Sequence, residues 1–276
     1  MTLLIRILRV PEGAVGLALL SLLVLLAVAA PTLFPGDPLA IVARPMTPPL
    51  ADWRVPLGTD RLGRDVLAGI VHGSRTSLTV GLAAAAAALA VGALVGSVAG
   101  LLGGWTDEAL MRVTEAFQTV PGFLLALAFV SVAGGSLGVV VVAIALSAWT
   151  EPCRLARAEV LAIREGDYVA NARVAGMHPA EIVLREVLPN ALPPVLALSA
   201  VIVAAAILIE AALSFLGLGD PNHVTWGGMI AEGRAVLRSA PYLSILPGVA
   251  VMLTVLAVYL TGEGLAEALA GRRARA

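Results

Sequence analysis

Few residues in this chain have the means to do chemistry. All 18 cationic residues are Arg and there is no Lys. That removes the phosphate-cradling lysine of a P-loop ATPase, a Schiff-base lysine and a Ser-Lys nucleophile from this polypeptide. The three histidines, His72, His178 and His223, fall on separate loops, with none of the spacings by which His and Cys hold zinc. Asp220 and His223 lie close together and read as a polar loop that touches a partner rather than as a metal site. The single cysteine, Cys153, has no mate for an internal disulfide. One ionisable residue sits within a long apolar run: Glu210, in Ile209-Glu210-Ala211-Ala212-Leu213-Ser214-Phe215-Leu216-Gly217. A carboxylate at such a place marks a substrate path by default, so Glu210 and Ser214 are read as part of a translocation path or outer gate. The competing reading is a carboxylate satisfied by nearby Ser or backbone groups. No catalytic, metal or cofactor constellation emerges, and an enzyme is not expected. A secondary transporter would show several such groups or clearly broken helices, so the driving energy is expected to enter from elsewhere.

The elements that hold these residues are set by composition. Of 276 residues, 59% are hydrophobic, 13% charged and 4% aromatic, and the mean hydropathy is +0.94. A soluble domain carries about 25% charged residues, so this chain has too little charge to cover a water-facing surface and reads as polytopic and all-α. A net charge of −1 argues against nucleic acid as a partner, and the surroundings are membrane lipid. A crossing helix needs about 20 apolar residues. Uncharged stretches run from Glu12 to Asp37 (24 positions), Arg75 to Asp107 (31), Glu115 to Glu151 (35), Glu186 to Glu210 (23) and Arg238 to Glu263 (24). The third is one long helix or a hairpin turning at Gly134-Gly135. The hairpin reading, with one helix borrowing polar residues around Thr114, places 11 Arg inside and 7 outside, and the single helix reverses the bias to 5 and 13. The positive-inside rule selects the hairpin, hence six transmembrane helices with both termini cytoplasmic. Ala27-Val28-Ala29 resembles a signal cleavage site, but the apolar run from Gly13 to Ala30 is long for a signal peptide and favours a retained helix.

We divide the chain into an N-terminal helix and outer loop (1–77), a core (78–271) with an inner loop at 151–190, and a cytoplasmic tail (272–276). The outer segment Pro31 to Ser74 reads as loop plus a short helix at Asp65–His72, and a second outer loop runs from about Gly217 to Pro241. Gly92, Gly96, Gly100 and Gly104 recur at four-residue spacing beside Ala83–Ala88, which lets another backbone approach closely, in this chain or in a partner. The inner loop carries Leu155, Val160, Ile163, Val169 and Val174 at loosely helical spacing among charges. Gly176 breaks that pattern, and a second amphipathic stretch from Ala180 to Leu188 is expected to end at Pro189. Helix, Gly turn, helix and Pro describe a rigid inner bracket without catalytic groups: a docking element.

At this bracket the chain resembles a permease subunit of binding-protein-dependent ABC importers. The family signature reads Glu-Ala-Ala, three residues, Gly, nine residues, Ile-x-Leu-Pro. Aligned on Gly176, it lands on Ala172, Leu188 and Pro189, and departs at Ala170-Asn171 and at Glu186. The segment Pro56-Leu57-Gly58-Thr59-Asp60-Arg61-Leu62-Gly63-Arg64-Asp65-Val66-Leu67, then Gly73-Ser74-Arg75-Thr76-Ser77-Leu78, is similar to the outer-loop motif of the dipeptide, oligopeptide and nickel branch. So is Glu210 to Gly219, with Trp226-Gly227 and Ala240-Pro241 after it.

The resemblance implies an inner-membrane subunit that forms the path for peptides or nickel with a homologous permease. It also implies two ATPase subunits on the inner brackets and an extracytoplasmic solute-binding protein outside. It assigns the ATPase-coupling role to Asp167, Ala170, Ala172, Gly176, His178, Glu181, Leu188 and Pro189. It assigns binding-protein contact to Asp60, Arg64, Asp65, Asp220 and His223.

Overall fold

A segment that crosses lipid must satisfy its backbone hydrogen bonds internally, and every long apolar stretch of this chain does so as helix. The computed structural model describes residues 3–273, and residues 274–276 of the expected tail lie outside that range. A short α1 (Leu3–Ile7) precedes α2 (Pro11–Leu33), in which Pro11 takes the first turn, where a missing N–H costs nothing. Residues 34–65 have no regular secondary structure, and α3 (Val66–Leu102) follows. Next come α4 (Gly104–Gln118), α5 (Gly122–Ala133), α6 (Leu137–Ala148) and α7 (Thr150–Arg164). The inner segment holds α8 (Asp167–Val174), α9 (Pro179–Ile182), a π-turn at Val183–Val187 and α10 (Leu188–Ala197). The chain closes with α11 (Ser199–Phe215), α12 (Trp226–Arg234) and α13 (Tyr242–Arg273).

Three of these helices, α2, α3 and α13, are each long and apolar enough to cross a membrane. Three bent pairs bring the count to six: α4 with α5 at 80°, α6 with α7 at 43°, and Pro179–Ala197 with α11 at 43°. The stretch 116–150 is the hairpin, α5 and α6 joined through Gly134–Ser136. Each has 12 residues, about 18 Å at a ~1.5 Å rise. That falls short of the ~30 Å hydrocarbon core, and α4 and α7 supply the missing length. Thr114 does lie in the borrowed part, on α4.

Four expectations change. The helix expected at Asp65–His72 is the start of α3. Asp65 is its N-cap, with Oδ1 accepting from the Leu67 and Ala68 amides at 2.8 and 3.3 Å, and Arg75 sits exposed on the helix flank without interrupting it. The expected boundary between residues 77 and 78 therefore falls inside one continuous helix. The second outer loop contains α12. Pro189 does not end a helix: the π-turn resets the hydrogen-bond ladder, so Pro189 occupies the first turn of α10, where no N–H is needed. Gly104 lies outside α3 and opens α4, leaving three glycines in the stripe.

Those three face α7 of the same chain. A Cβ on Gly96 would overlap the Cys153 carbonyl oxygen, one on Gly92 would lie 2.5 Å from the Trp149 carbonyl oxygen, and one on Gly100 would lie 2.8 Å from Val160 Cγ1. Lipid tails are as apolar as Leu, so helices in a bilayer associate through close packing rather than hydrophobic burial. The rest of the core is built to match, with Ala84, Ala85 and Ala88 of α3 buried beside Ile144, Cys153 and Ile207. Gly96→Val is expected to cost about 3 kcal/mol through overpacking, read as a lower thermal midpoint in detergent. Gly138→Ala, whose Cβ would meet nothing within 4 Å, is the control with an unchanged midpoint. Equal midpoints for the two would refute the α3–α7 contact.

Candidate functional site

The inner bracket is shaped by two different devices. Helix α8 stops in a Schellman turn: Gly176 adopts φ +80°, and the Met177 amide donates to the Ala172 carbonyl at 3.1 Å. His178 then caps α9, its Nδ1 accepting from the Ala180 amide at 3.3 Å, with Pro179 in the first turn. Beneath the turn, Val160, Val169, Ile182, Val187 and Ala191 form a small separate core against which Ala172 and Met177 pack. This core is why the bracket is rigid. Arg164 fastens it to α3, its Nη1 donating to the Gly100 and Leu101 carbonyls at 3.0 and 3.2 Å.

The bracket's other residues turn outward. Asp167, Ala170, Gly176, His178 and Pro189 are exposed, Glu181 pairs with Arg185 at 2.6 Å, and Leu188 is half-buried. Val174, expected on the buried face, is 90% exposed beside Gly176.

At the other end of the molecule, Asp60, Arg64 and Asp65 meet Asp220 and His223, with Ser214 beside them, around one cavity of about 300 Å³. Sequence separations of over 150 residues are thus closed into a single pocket. Asp60 Oδ1 accepts from the Leu62 and Arg64 amides, both at 2.8 Å. Asp220 Oδ1 accepts from the Asn222 amide at 3.0 Å, and its Oδ2 lies 3.4 Å from His223 Nδ1 and from the Leu137 amide. The Asn222 N–H in particular holds the Asp220 carboxyl below its ordinary pKa. Glu232 joins the rim 3.6 Å from Arg64, and burial pushes its carboxyl up despite that cation. The outer loop that carries Asp60 is tied down by Tyr242, whose hydroxyl reaches the Thr47 and Thr59 carbonyls at 3.0 and 2.9 Å.

Glu210 does not line this cavity. It lies enclosed below it, 1% exposed, its Oε1 accepting from Ser214 Oγ at 2.7 Å. Oε2 and the Ser77 hydroxyl are both buried without a close partner among the described residues, and Ser77 on α3 and Thr225 at the start of α12 face the carboxylate. Glu210 is thus bonded within α11, with hydroxyls of α3 and of the residue before α12 facing its second oxygen beneath the pocket floor. Ser77, Thr225 and Glu232 were not foreseen, because hydroxyls in apolar helices are common and only the fold shows which ones converge. His72 is apart from both sites, its Nε2 lying 3.0 Å from the Phe34 carbonyl.

Known proteins resemble this chain over most of its length. The family described as "Binding-protein-dependent transport system inner membrane component" matches residues 92–275. The chain is 41% identical, over 94% of its length and 88% of the other's, to a "Probable peptide ABC transporter permease protein y4tQ" of Sinorhizobium fredii. It is 36% identical, over 92% and 84%, to a "Dipeptide transport system permease protein DppC" of Alkalihalophilus pseudofirmus. Its fold is similar to a chain in an inward-facing structure of the MetNI methionine ABC transporter, with TM-score 0.61, 16% identity and coverage of 74% of this chain and 97% of that one.

The enclosed Glu210 carboxylate yields a stability test. Glu210→Gln keeps the acceptor for Ser214 and adds an N–H donor for the orphaned Ser77 hydroxyl, so its thermal midpoint should match wild type. Glu210→Ala strands both hydroxyls over a cavity and should cost about 2–3 kcal/mol. Identical midpoints for the two variants would show that the carboxylate joins nothing.

Proposed function

The chain belongs to the family of binding-protein-dependent transport system inner membrane components, and we propose from that premise that its cargo is peptide and its motor a separate ATPase. It is a multi-pass inner-membrane permease subunit of an ABC importer. In the proposed assembly, a homologous permease completes the path and two ATP-binding subunits sit on the inner brackets. An extracytoplasmic solute-binding protein delivers the load, and both termini are cytoplasmic. Peptide is assigned over nickel because the relatives are named for peptides and dipeptides.

The observation that carries this reading is the inner bracket: a stiff turn with its own small core, fastened by Arg164, presenting Asp167, Ala170, Gly176 and His178 outward. Closure of the ATPase dimer on ATP would draw the bracket with it. Ala172, packed against the bracket's core, Glu181, paired with Arg185, and Leu188 and Pro189 at the start of α10 would carry its displacement into α10 and α11. The helices then rotate and the path opens outward, towards the pocket at Asp60, Arg64, Asp65, Asp220 and His223, where the binding protein would dock. Glu210 and Ser214 would form part of the translocation path or its outer gate, where α11 comes against Ser77 of α3 and Thr225 before α12. The cycle requires the ATPase to prefer one bracket position over the other, because only differential affinity shifts a two-state equilibrium.

Gly176 separates docking from folding. A Cβ there meets no atom within 4 Å, so Gly176→Ala costs only the positive-φ penalty of about 1–2 kcal/mol. Gly176→Asp adds a charge and bulk to the contact surface. The Ala variant is expected to retain dipeptide uptake, and the Asp variant to abolish it at unchanged membrane content and with loss of ATPase co-purification. Wild-type uptake by Gly176→Asp would sink the docking role. Uptake by the permeases alone, without an ATPase, would point to an autonomous transporter.

A further inference from the structure

Between α3 and α4 the chain passes through Gly103 and Gly104, both at positive φ, +66° and +54°. Such a junction gives α4 little directional support from α3. Beyond that junction α4 meets α7 along one antiparallel row of contacts. Asp107 accepts a two-pronged ion pair from Arg157, Nε to Oδ1 at 2.5 Å and Nη2 to Oδ2 at 2.6 Å. Further along, the Thr114 hydroxyl lies 3.8 Å from Cys153 Sγ, and Phe117 meets Trp149 edge to face at 5.4 Å between ring centres. Asp107, Thr114 and Phe117 share one face of α4, and Arg157, Cys153 and Trp149 share one face of α7 at four-residue steps. The ionic end of the row is its inner end, nearest the bracket. A bidentate Arg–carboxylate pair fixes orientation as well as distance.

We propose that the Asp107–Arg157 pair is a positioning strut that carries movement of the bracket, through α7, into the bent α4–α5 span. The bracket hangs from the end of α7, and α4 turns by 80° into α5. Without the strut, α7 can shift while α4 swivels at the double glycine and leaves α5 behind. With it, the α6–α7 and α4–α5 spans move as one body. The inference rests on the docking role proposed for the bracket and adds a second helix pair to the moving part.

The test uses the assembled transporter in proteoliposomes, with ATPase, partner permease and loaded binding protein. Asp107→Asn and Arg157→Gln are expected to retain the ATPase subunits and to hydrolyse ATP, while dipeptide uptake per ATP hydrolysed falls by about tenfold, an ordinary size for one coupling contact. The reversed pair, Asp107→Arg with Arg157→Asp, should recover most of the lost coupling. Three results would overturn the strut: unchanged uptake per ATP in both single variants, losses that follow loss of assembly, or no recovery in a reversed pair that assembles. Failure of the bracket reading is seen separately, as ATPase retention and wild-type uptake by Gly176→Asp in the same preparation.

Discussion

The contact between α3 and α7 is the constraint on which the other features depend. Two helices in lipid gain little from burying apolar surface, so they are held by how closely their backbones approach. Gly92, Gly96 and Gly100 leave α3 without a side chain at three points of that seam, and the carbonyls of Trp149 and Cys153 lie where a Cβ would be. Because α7 is seated there, the twelve-residue α6 has a rigid continuation and the hairpin α5–α6 can be short. The seat also sets where the inner bracket hangs. Arg164, reaching the carbonyls at the end of α3, satisfies helix-terminal acceptors that would otherwise face the interface unpaired.

The bracket that follows must be stiff, yet it has no long helix to make it so. Its stiffness comes from replacing length by turn chemistry. A left-handed Gly176 reverses the chain without a loop, His178 and Pro179 start the next helix at once, and the π-turn rotates α10 into the bilayer without a break. Five buried side chains, one from each of five successive elements, close the underside. The result is a short lever with one face free.

Much of this was legible in the residues. The arginine bias selected the hairpin at Gly134–Ser136 over a single helix, because charge asymmetry is a property of the whole chain and tolerates local error. The outer-face residues 60–65 and 220–223 were grouped by resemblance and do meet in one pocket. The misreadings were local. Pro189 was taken as a stop because a proline ring forbids an interior helix position. A preceding π-turn converts that position into a first turn, and nothing in Val183–Val187 announces it. Arg75 was taken as the edge of a span, although a charge on an exposed flank need not end a helix. The Asp107–Arg157 pair was invisible because its members are 50 positions apart, and only the α4–α7 crossing brings them together.

The scarcity of ionisable groups in the helices has a mechanical consequence. A carrier driven by an ion gradient changes shape when a buried group is neutralised or filled. Among the described residues the one enclosed carboxylate, Glu210, is tied to Ser214 of its own helix and faced by the hydroxyls of Ser77 on α3 and of Thr225 before α12. On the function proposed above, the change of state arrives through packing. The single helix α3 joins the two ends that must be linked: Asp65 and Val66 at its start line the outer pocket, and its last turn holds Arg164 of the bracket's stem. A straight helix transmits position but cannot absorb a change of shape. The bends can, and the sharpest of them, at 80°, lies between α4 and α5. Packed cores switch between discrete arrangements rather than deforming smoothly, and under the strut proposed above the α4–α5 bend would travel with α7 instead of setting independently.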